Sequence, residues 1–198
     1  MTVALIFAIT GYLLGSVSSA ILVCRVLGKA DPRTTGSGNP GATNVLRAHG
    51  RGPAAATLAG DVAKGLVPVA IAHALGLSPL VVALTGLGAF LGHLFPIFFD
   101  FRGGKGVATY IGVLFGMSPW LGLTFCAAWL ATAAVTRYSS LAALVATVVT
   151  PIAALAAGMA SPIVLVLNVT AGAIVWRQRE NIARLRAGTE SRIGKKKA

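Results

Sequence analysis

Seven runs of apolar residues, separated by short polar segments, constrain this chain more than any other feature. A helix needs about 20 apolar residues to cross a hydrocarbon core of roughly 30 Å, so most of these runs can span a membrane. One run, 106–117, is too short for a full crossing at about 1.5 Å per residue. We predict an all-α polytopic membrane protein with about seven transmembrane helices, one of them short, over residues 3–24, 53–75, 79–99, 106–117, 119–136, 140–157 and 161–176.

The composition supports a membrane protein. Of 198 residues, 56% are hydrophobic and 11% are charged, which is unlike soluble domains. Seven spans use most of this length, so we predict one integral-membrane domain over residues 1–198. The net charge of +12 could suggest nucleic-acid binding, but chains that bind nucleic acid are rarely this apolar. We expect no nucleic-acid partner. Cys24 and Cys126 lie in apolar runs without metal-ligand spacing, so we expect buried, unmodified thiols.

Lysine and arginine occur in every second connection between the runs. Segments 25–52 and 100–105, the turn at Arg137 and the tail from residue 177 contain them, whereas the intervening connections contain none. Cytoplasmic loops are enriched in lysine and arginine. The alternation therefore predicts that the N-terminus lies outside, that the C-terminus lies in the cytoplasm, and that the active surface faces the cytoplasm. The first run lacks a basic N-terminal flank, so we interpret it as a retained span rather than a signal peptide.

The first segment with chemical potential is the glycine-rich stretch 35–47, Thr-Gly-Ser-Gly-Asn-Pro-Gly-Ala-Thr-Asn-Val-Leu-Arg. Its glycines allow successive backbone N–H groups to converge on an anion, and a helix that starts near Ala42 would direct its N-terminus at the same place. Thr43, Asn44 and Arg47 would share one face of that helix. A flexible, solvated loop is the alternative.

The second segment runs from Gly92-His93 to Gly103-Gly-Lys105-Gly and Thr109. A glycine-rich turn with one lysine that opens a helix suits a phosphate group. It lacks the P-loop spacing and a preceding strand, which disfavours nucleotide hydrolysis. His93, at the end of a span, could act as a base or as a hydrogen-bond donor, or could be structural.

Two further segments contain polar residues near membrane depth. Asp61 and Lys64 are three positions apart in an apolar run, so they can neutralise each other and join helices; positioning is favoured over direct catalysis. In the tail, Ile182 and Leu185 alternate with arginines, which predicts a short interfacial helix. Lys195–Lys197 fit an interaction with anionic lipid. Ser140 follows Arg137-Tyr-Ser and on its own would be an ordinary helix cap.

Taken in order, these segments resemble the acyl-phosphate:glycerol-3-phosphate acyltransferase family of bacteria. The resemblance extends almost from end to end, from Gly15-Ser16 through the stretch 36–44, Gly60-Asp-x-x-Lys-Gly, Gly92-His-x-Phe-Pro, the stretch 103–109 and Glu180-Asn-Ile-x-Arg-Leu-x-x-Gly-x-Glu. No single motif is specific, but the combination is. One position departs from the family, because Gln178 stands where members often have histidine three residues before the tail asparagine.

The resemblance implies transfer of a fatty acyl group from acyl phosphate to the 1-hydroxyl of sn-glycerol 3-phosphate, which gives lysophosphatidate and phosphate in the first acylation of phospholipid synthesis. It implies a bacterial inner-membrane enzyme, here expected to be a monomer, without cofactor or metal. The residues expected in catalysis are Lys105, Arg47 and His93. Those expected in substrate binding are Ser37, Asn39, Thr43, Asn44, Thr109, Ser140 and Asn181.

The chemistry fits the residues. Acyl phosphate is already activated, so no covalent nucleophile is needed, and the site must hold two anions and orient a hydroxyl. We expect direct attack by that hydroxyl, with its proton passing to a phosphate oxygen or to His93. A carrier for a phosphorylated anion is the main alternative, although all the polar segments lie on one predicted side. A third hypothesis is that the protein is a purely structural membrane scaffold, but this would give the glycine-rich segments no function.

Overall fold

The computed structural model describes residues 1–194, and these form helices without any strand in that part of the chain. An additional 3₁₀ turn covers Ile97–Phe99. The ten α-helices of the described residues are α1 (Thr2–Gly15), α2 (Ser19–Val26), α3 (Ala42–His49), α4 (Arg51–Ala74), α5 (Pro79–Leu94), α6 (Val107–Met117), α7 (Pro119–Thr136), α8 (Ser139–Ala156), α9 (Ser161–Arg177) and α10 (Arg179–Arg186).

Five segments are long and apolar enough to cross a membrane, namely Thr2–Val26, Arg51–Ala74, Pro79–Phe99, Pro119–Thr136 and Ser139–Ala156. Helices α6 and α9 are apolar but shorter. The predicted all-α membrane architecture is confirmed. The count of seven spans and the orientation of the termini stay predictions, and the Lys195–Lys197 run lies outside the described residues.

The chain divides into two compact units, the first from Met1 to Met117 and the second from Ser118 onward. The prediction of a single domain over residues 1–198 is not tested by this division. In the first unit α1 packs on α5 and α4 packs on α6. A methyl group on Gly15 would overlap the backbone of Ala89, and one on Gly65 would overlap the backbone of Thr109. Small residues thus let these helix backbones approach closely, as is usual between helices in a membrane.

The first apolar run is broken, although its sequence predicted one continuous span. Helix α1 ends at Gly15 and α2 begins at Ser19. Ser16 is fully buried, and its hydroxyl donates to the Tyr12 carbonyl at 2.8 Å. The Val17 carbonyl accepts a hydrogen bond from the Lys64 ammonium of α4 at 2.8 Å. The break leaves the Val17 carbonyl without a helical hydrogen bond, and the Lys64 side chain of another helix supplies one. In apolar surroundings every backbone polar group needs such a partner.

The two cysteines differ in their surroundings. Cys24 is fully buried, in a cluster with Ala20, Val45 and Ala54, as its apolar run predicted. Cys126 of α7 is half-buried. Cys24 therefore behaves as a small hydrophobic residue rather than as a reactive nucleophile.

In the second unit, α8 packs on both α7 and α9, and the chain after α10 folds back to the start of α8. The Ile193 N–H donates to the Arg137 carbonyl at 2.7 Å, and Arg137 Nη2 donates to the Ile193 carbonyl at 2.9 Å. Arg192 lies over the Tyr138 ring, 5.3 Å from its centroid. The predicted short tail helix is confirmed as α10. This return of the chain places residue 190 beside the first turn of α8.

Candidate active site

The glycine-rich loop before α3 is built around the side chain of Asn44, which is 2% exposed. Asn44 Oδ1 accepts the N–H of Ser37 at 2.9 Å, and Nδ2 donates to the carbonyls of Pro32 and Thr35 at 2.8 and 3.0 Å. Both amide hydrogens are therefore used by the loop. We interpret Asn44 as the residue that shapes this loop, while its predicted contact with substrate stays a prediction.

The other predicted residues of this segment remain accessible. Ser37, Thr43 and Arg47 are exposed, and Asn39 is half-buried. Gly36 and Gly38 have φ of +58° and +68°, a backbone region that suits glycine. A methyl group on Gly36 would also overlap Asn44 Oδ1. The predicted helix start is confirmed at Ala42, so Thr43 and Arg47 lie on one face of α3, with the loop at its N-terminus.

The second glycine-rich turn rests on the end of α5. The Gly104 N–H donates to the His93 carbonyl at 3.2 Å, and a methyl group on Gly103 would overlap that same carbonyl. Gly106 has φ of +84° and is packed against the side chains of Phe90 and Leu94. Helix α6 begins directly afterwards, as the sequence predicted. Gly103, Gly104 and Gly106 are buried, whereas Lys105 between them is only half-buried.

His93 and Thr109 are more enclosed than their predicted roles suggested. The His93 side chain is 6% exposed. Thr109 is fully buried in α6, and its hydroxyl has no hydrogen-bond partner within residues 1–194. Their roles as proton acceptor and substrate contact stay predictions.

Asp61 and Lys64 of α4 form the ion pair that their spacing predicted. Asp61 Oδ1 lies 2.9 Å from Lys64 Nζ and 3.7 Å from His93 Nδ1. The three side chains are between 2% and 8% exposed. A charged group this deeply buried is stable only with a partner. The contact between Asp61 and His93 joins segment 60–65 to segment 92–109. The sequence did not predict this contact.

An ion-pair cluster brings the first segment close to the second. Arg33 pairs with Asp31, with Nη2 and Oδ2 2.8 Å apart, and its Nη1 lies 3.9 Å from the exposed Asp100. Hydrogen bonds from Arg33 lower the pKa of the Asp31 carboxyl; burial opposes this shift, and the charges of Arg33 and Arg25 add to it. Asn44 of segment 35–47 donates to the carbonyl of Pro32, between Asp31 and Arg33. Within the first unit, segments 31–47, 60–65 and 92–109 are therefore connected by polar contacts.

The predicted residues of the second unit meet on one carboxylate. Glu190 Oε1 accepts the Ser140 hydroxyl at 2.9 Å and Asn181 Nδ2 at 2.8 Å, while Oε2 accepts Arg184 Nε at 2.7 Å. Ser140 lies in the first turn of α8 and does not cap it, because the capping position belongs to Tyr138. The structure thus excludes the ordinary cap that the segment would suggest on its own, and the Ser140 hydroxyl is turned to the tail. The predicted contact of Ser140 with substrate stays a prediction.

Glu190 ends the tail motif, but the sequence alone indicated no role for it. Its side chain is 6% exposed. Burial raises the pKa of its carboxyl, but hydrogen bonds from Arg184, Asn181 and Ser140 and the charge of Arg184 outweigh burial, so the pKa lies below its usual value. The available signal was that Glu190 is one of only five acidic residues in a chain with 17 basic ones. The carboxylate fixes the orientation of Ser140 and Asn181.

Gln178 occupies the position where the family often has histidine. It is 2% exposed, and its Nε2 has no hydrogen-bond partner within the described part of the chain. A buried amide donor without a partner is unusual in a native protein. The amide can donate a hydrogen bond there but cannot change its charge as histidine could.

A groove between α1 and α5, of about 240 Å³, is lined by apolar side chains such as Ile9, Leu84 and Leu91. Its lining contains no charged residue. The groove therefore suits hydrocarbon rather than an anion.

These segments offer backbone N–H groups, hydroxyls, amides and the cations of Arg47 and Lys105. Such groups bind phosphate and stabilise negative charge that develops on oxygen. Among the described residues the Ser140 hydroxyl does donate to a carboxylate, that of Glu190, but this carboxylate is paired with Arg184 and its pKa is lowered, so it is a weak base for activating a serine. This arrangement fits a transfer between two bound anionic substrates without a covalent enzyme intermediate.

Comparison with known proteins gives a consistent result. Residues 5–188 match the family model for glycerol-3-phosphate acyltransferase. The chain is 53% identical over 196 residues to the glycerol-3-phosphate acyltransferase of Thioalkalivibrio sulfidiphilus, covering 99% of this chain and 97% of the relative. It is also 53% identical over 189 residues to that of Halorhodospira halophila, covering 96% of each.

Two solved structures agree with the fold. The glycerol 3-phosphate form of PlsY (YgiH), an integral membrane glycerol 3-phosphate acyltransferase, superimposes with a TM-score of 0.92 at 41% identity, covering 96% of both chains. The lysophosphatidic acid form of PlsY gives a TM-score of 0.89 at 40% identity, covering 96% of this chain and 95% of that one. The protein described here therefore belongs to the glycerol-3-phosphate acyltransferase family and is an integral membrane acyltransferase of phospholipid biosynthesis.

Proposed function

We propose that the protein transfers a fatty acyl group from acyl phosphate to the 1-hydroxyl of sn-glycerol 3-phosphate. The hydroxyl oxygen forms a bond to the acyl carbonyl carbon, and the bond from that carbon to the phosphate oxygen breaks. The products are lysophosphatidate and inorganic phosphate, in the first acylation of phospholipid synthesis. No cofactor or metal takes part. The observation that carries the proposal is the pair of glycine-rich stretches 36–41 and 103–106, each of which leads directly into a helix, with Arg47 in the first of these helices and Lys105 in the second stretch.

Arg47 and Lys105 stabilise phosphate charge in this mechanism, because charge grows on the departing phosphate as its bond to carbon breaks. Ser37, Asn39, Thr43, Asn44 and Thr109 contribute to substrate binding in the first unit, and Ser140 and Asn181 do so in the second. The hydroxyl proton passes to a phosphate oxygen or to His93. The enclosure of His93 favours the phosphate oxygen, which becomes basic enough as it leaves.

Purified protein in detergent tests the reaction directly. With acyl phosphate and glycerol 3-phosphate we expect one lysophosphatidate for each phosphate released. We expect no turnover when the acyl donor is acyl-CoA or the acyl thioester of acyl carrier protein. Turnover with those thioesters at a comparable rate would contradict the proposed donor.

Lys105→Ala tests the role of the cation. Loss of one positioned charge from a phosphate site typically lowers kcat by about 10²- to 10³-fold. Lys29→Ala removes an exposed lysine from the neighbouring segment 25–52 and should retain wild-type turnover. Wild-type turnover by Lys105→Ala would refute the role of Lys105.

We also propose a monomer in the bacterial inner membrane with its active surface toward the cytoplasm. Cysteines introduced at Lys29 and Ser78 distinguish the two sides. A membrane-impermeant maleimide should label Ser78→Cys in intact spheroplasts and label Lys29→Cys only after lysis. The opposite labelling pattern would show that the topology is the reverse of the one proposed.

A further inference from the structure

A chain of polar contacts runs from the break between α1 and α2, through the buried side chains of Lys64, Asp61 and His93, to the turn that contains Lys105. Lys64 Nζ donates to the Val17 carbonyl at 2.8 Å and lies 2.9 Å from Asp61 Oδ1, which in turn lies 3.7 Å from His93 Nδ1. Three separate parts of the first unit, the break, α4 and α5, are joined by these contacts. The acyl transfer proposed above gives Asp61 and Lys64 no role.

The far side of the His93 ring supports the glycine-rich turn. A methyl group on Gly104 would overlap His93 Nε2, so the ring and the turn are in direct contact. The main chain adds the hydrogen bond from Gly104 N–H to the His93 carbonyl at 3.2 Å. Lys105 is the next residue. Any rotation of the His93 ring must therefore displace the backbone that carries the lysine.

We propose that Asp61, held by Lys64, fixes the His93 ring and thereby positions the Gly103–Gly106 turn so that the Lys105 ammonium meets substrate phosphate. The inference rests on the proposed function, in which Lys105 binds phosphate. Asp61 and His93 are positioning residues in this arrangement, because they act through the turn. The 3.7 Å between Asp61 Oδ1 and His93 Nδ1 is longer than a hydrogen bond, so the carboxylate orients the ring through its charge, which acts strongly in a buried site.

The simpler alternative is that Asp61 and Lys64 only neutralise each other and join α4 to the broken helix. The double variant Asp61→Asn with Lys64→Met separates the two hypotheses, because it removes both charges and leaves no unpaired ion in the core. Neutralisation and joining alone predict a wild-type KM, with some loss of active protein because Lys64→Met leaves the Val17 carbonyl without its donor. Positioning predicts a defect that persists, since the charge that orients His93 is gone.

The kinetic parameters of the purified full-length protein provide the measurement. We expect the double variant to raise the KM of the substrate whose KM also rises in Lys105→Gln, by about tenfold, and to lower kcat in the same direction as Lys105→Ala. A purely structural defect would instead lower the active fraction, so that kcat falls and KM stays unchanged. Thr57→Val is the matched control, because Thr57 is fully buried in α4 and its hydroxyl has no hydrogen-bond partner in the described chain. It should retain wild-type KM.

His93→Asn provides an independent test should the double variant fail to fold. Asparagine keeps a donor near the Nδ1 position but leaves empty the space against Gly104. Positioning predicts a raised KM and a kcat within about tenfold of wild type. If His93 accepts the proton, kcat falls by about 10²- to 10⁴-fold at unchanged KM, and the inference is overturned. Wild-type KM values in the double variant would also overturn it, whereas a wild-type protein that fails to use acyl phosphate would overturn only the proposed function.

Discussion

Replacement of Asn44 by alanine tests whether the glycine-rich loop must be ordered for substrate binding. The substitution removes the acceptor for the Ser37 N–H and the donors to the Pro32 and Thr35 carbonyls. A typical intramolecular hydrogen bond contributes about 1 kcal/mol, and a buried group left without a partner costs at least as much. Three such bonds therefore give about 3 kcal/mol, which corresponds to a factor of roughly 150 in the equilibrium between ordered and disordered loop.

We expect Asn44→Ala to raise the KM of at least one phosphorylated substrate by about tenfold or more. In the variant, substrate binding must order the loop, and the free energy of this ordering lowers the affinity for substrate. If the wild-type loop is itself only partly ordered, KM rises by less than the factor of roughly 150. Initial rates over a range of each substrate provide KM and kcat. Limited trypsin digestion reports the loop itself, because Arg33 and Arg47 flank it. Cleavage at Arg33 should become faster in the variant.

Asn168→Ala is the matched control. Asn168 is exposed on α9 and donates one hydrogen bond, to the Val164 carbonyl of its own helix at 2.8 Å. The same change of residue type there should leave KM and the rate of cleavage at Arg33 unchanged. If Asn44→Ala showed wild-type KM for both substrates and wild-type cleavage, the assignment of Asn44 as the organiser of the loop would be refuted.

The remaining predictions concern Gly104 and Glu190. Gly104→Ala should lower kcat/KM by about tenfold or more, because its methyl group would displace the His93 ring, whereas Gly172→Ala should be neutral in the same assay, since nothing lies within 4 Å of that position. The folded-state pKa of Glu190 is lowered, so its carboxylate stabilises the fold above the unfolded value near 4.5, and this contribution is lost as pH falls through the lower folded pKa. Glu190→Gln should therefore lower Tm at pH 6 to 7, with the difference from wild type shrinking as the pH falls below about 4.5. Glu180→Gln, at an exposed position in α10, should show no such pH-dependent difference; equal behaviour of the two variants would contradict the role of Glu190.

Local patterns allowed much of the first unit to be predicted from sequence. The helix after Pro40-Gly41, the turn that opens α6 and the ion pair between Asp61 and Lys64 all depend on residues within a few positions of one another. Such features follow from turn chemistry and helix spacing. The function itself followed from the order of several motifs rather than from any one of them.

Features that depend on tertiary contacts were missed. Nothing between Gly15 and Ser19 marks the helix break, because Ser-Val-Ser is compatible with a continuous helix, and the Lys64 ammonium that satisfies Val17 comes from 47 positions away. The bond between Ser140 and Glu190 spans 50 positions. The sequence identified Asn44 as a site residue. Its role in shaping the loop follows from its hydrogen-bond partners, and residue type alone could not distinguish that role from contact with substrate.

Carboxylates are unfavourable near sites that bind anions, and the chain uses its few acidic residues accordingly. Of five in total, Asp100 and Glu180 are exposed, and the other three are each paired with a cation close in sequence, namely Asp31 with Arg33, Asp61 with Lys64 and Glu190 with Arg184. Each pair lies in or beside a segment expected to bind substrate. A paired carboxylate can orient amide, hydroxyl or imidazole groups while its own charge is neutralised over a short distance. The net charge of +12 can then attract phosphorylated substrates without local repulsion, so the acidic residues organise the polar segments at little cost to their affinity for anions.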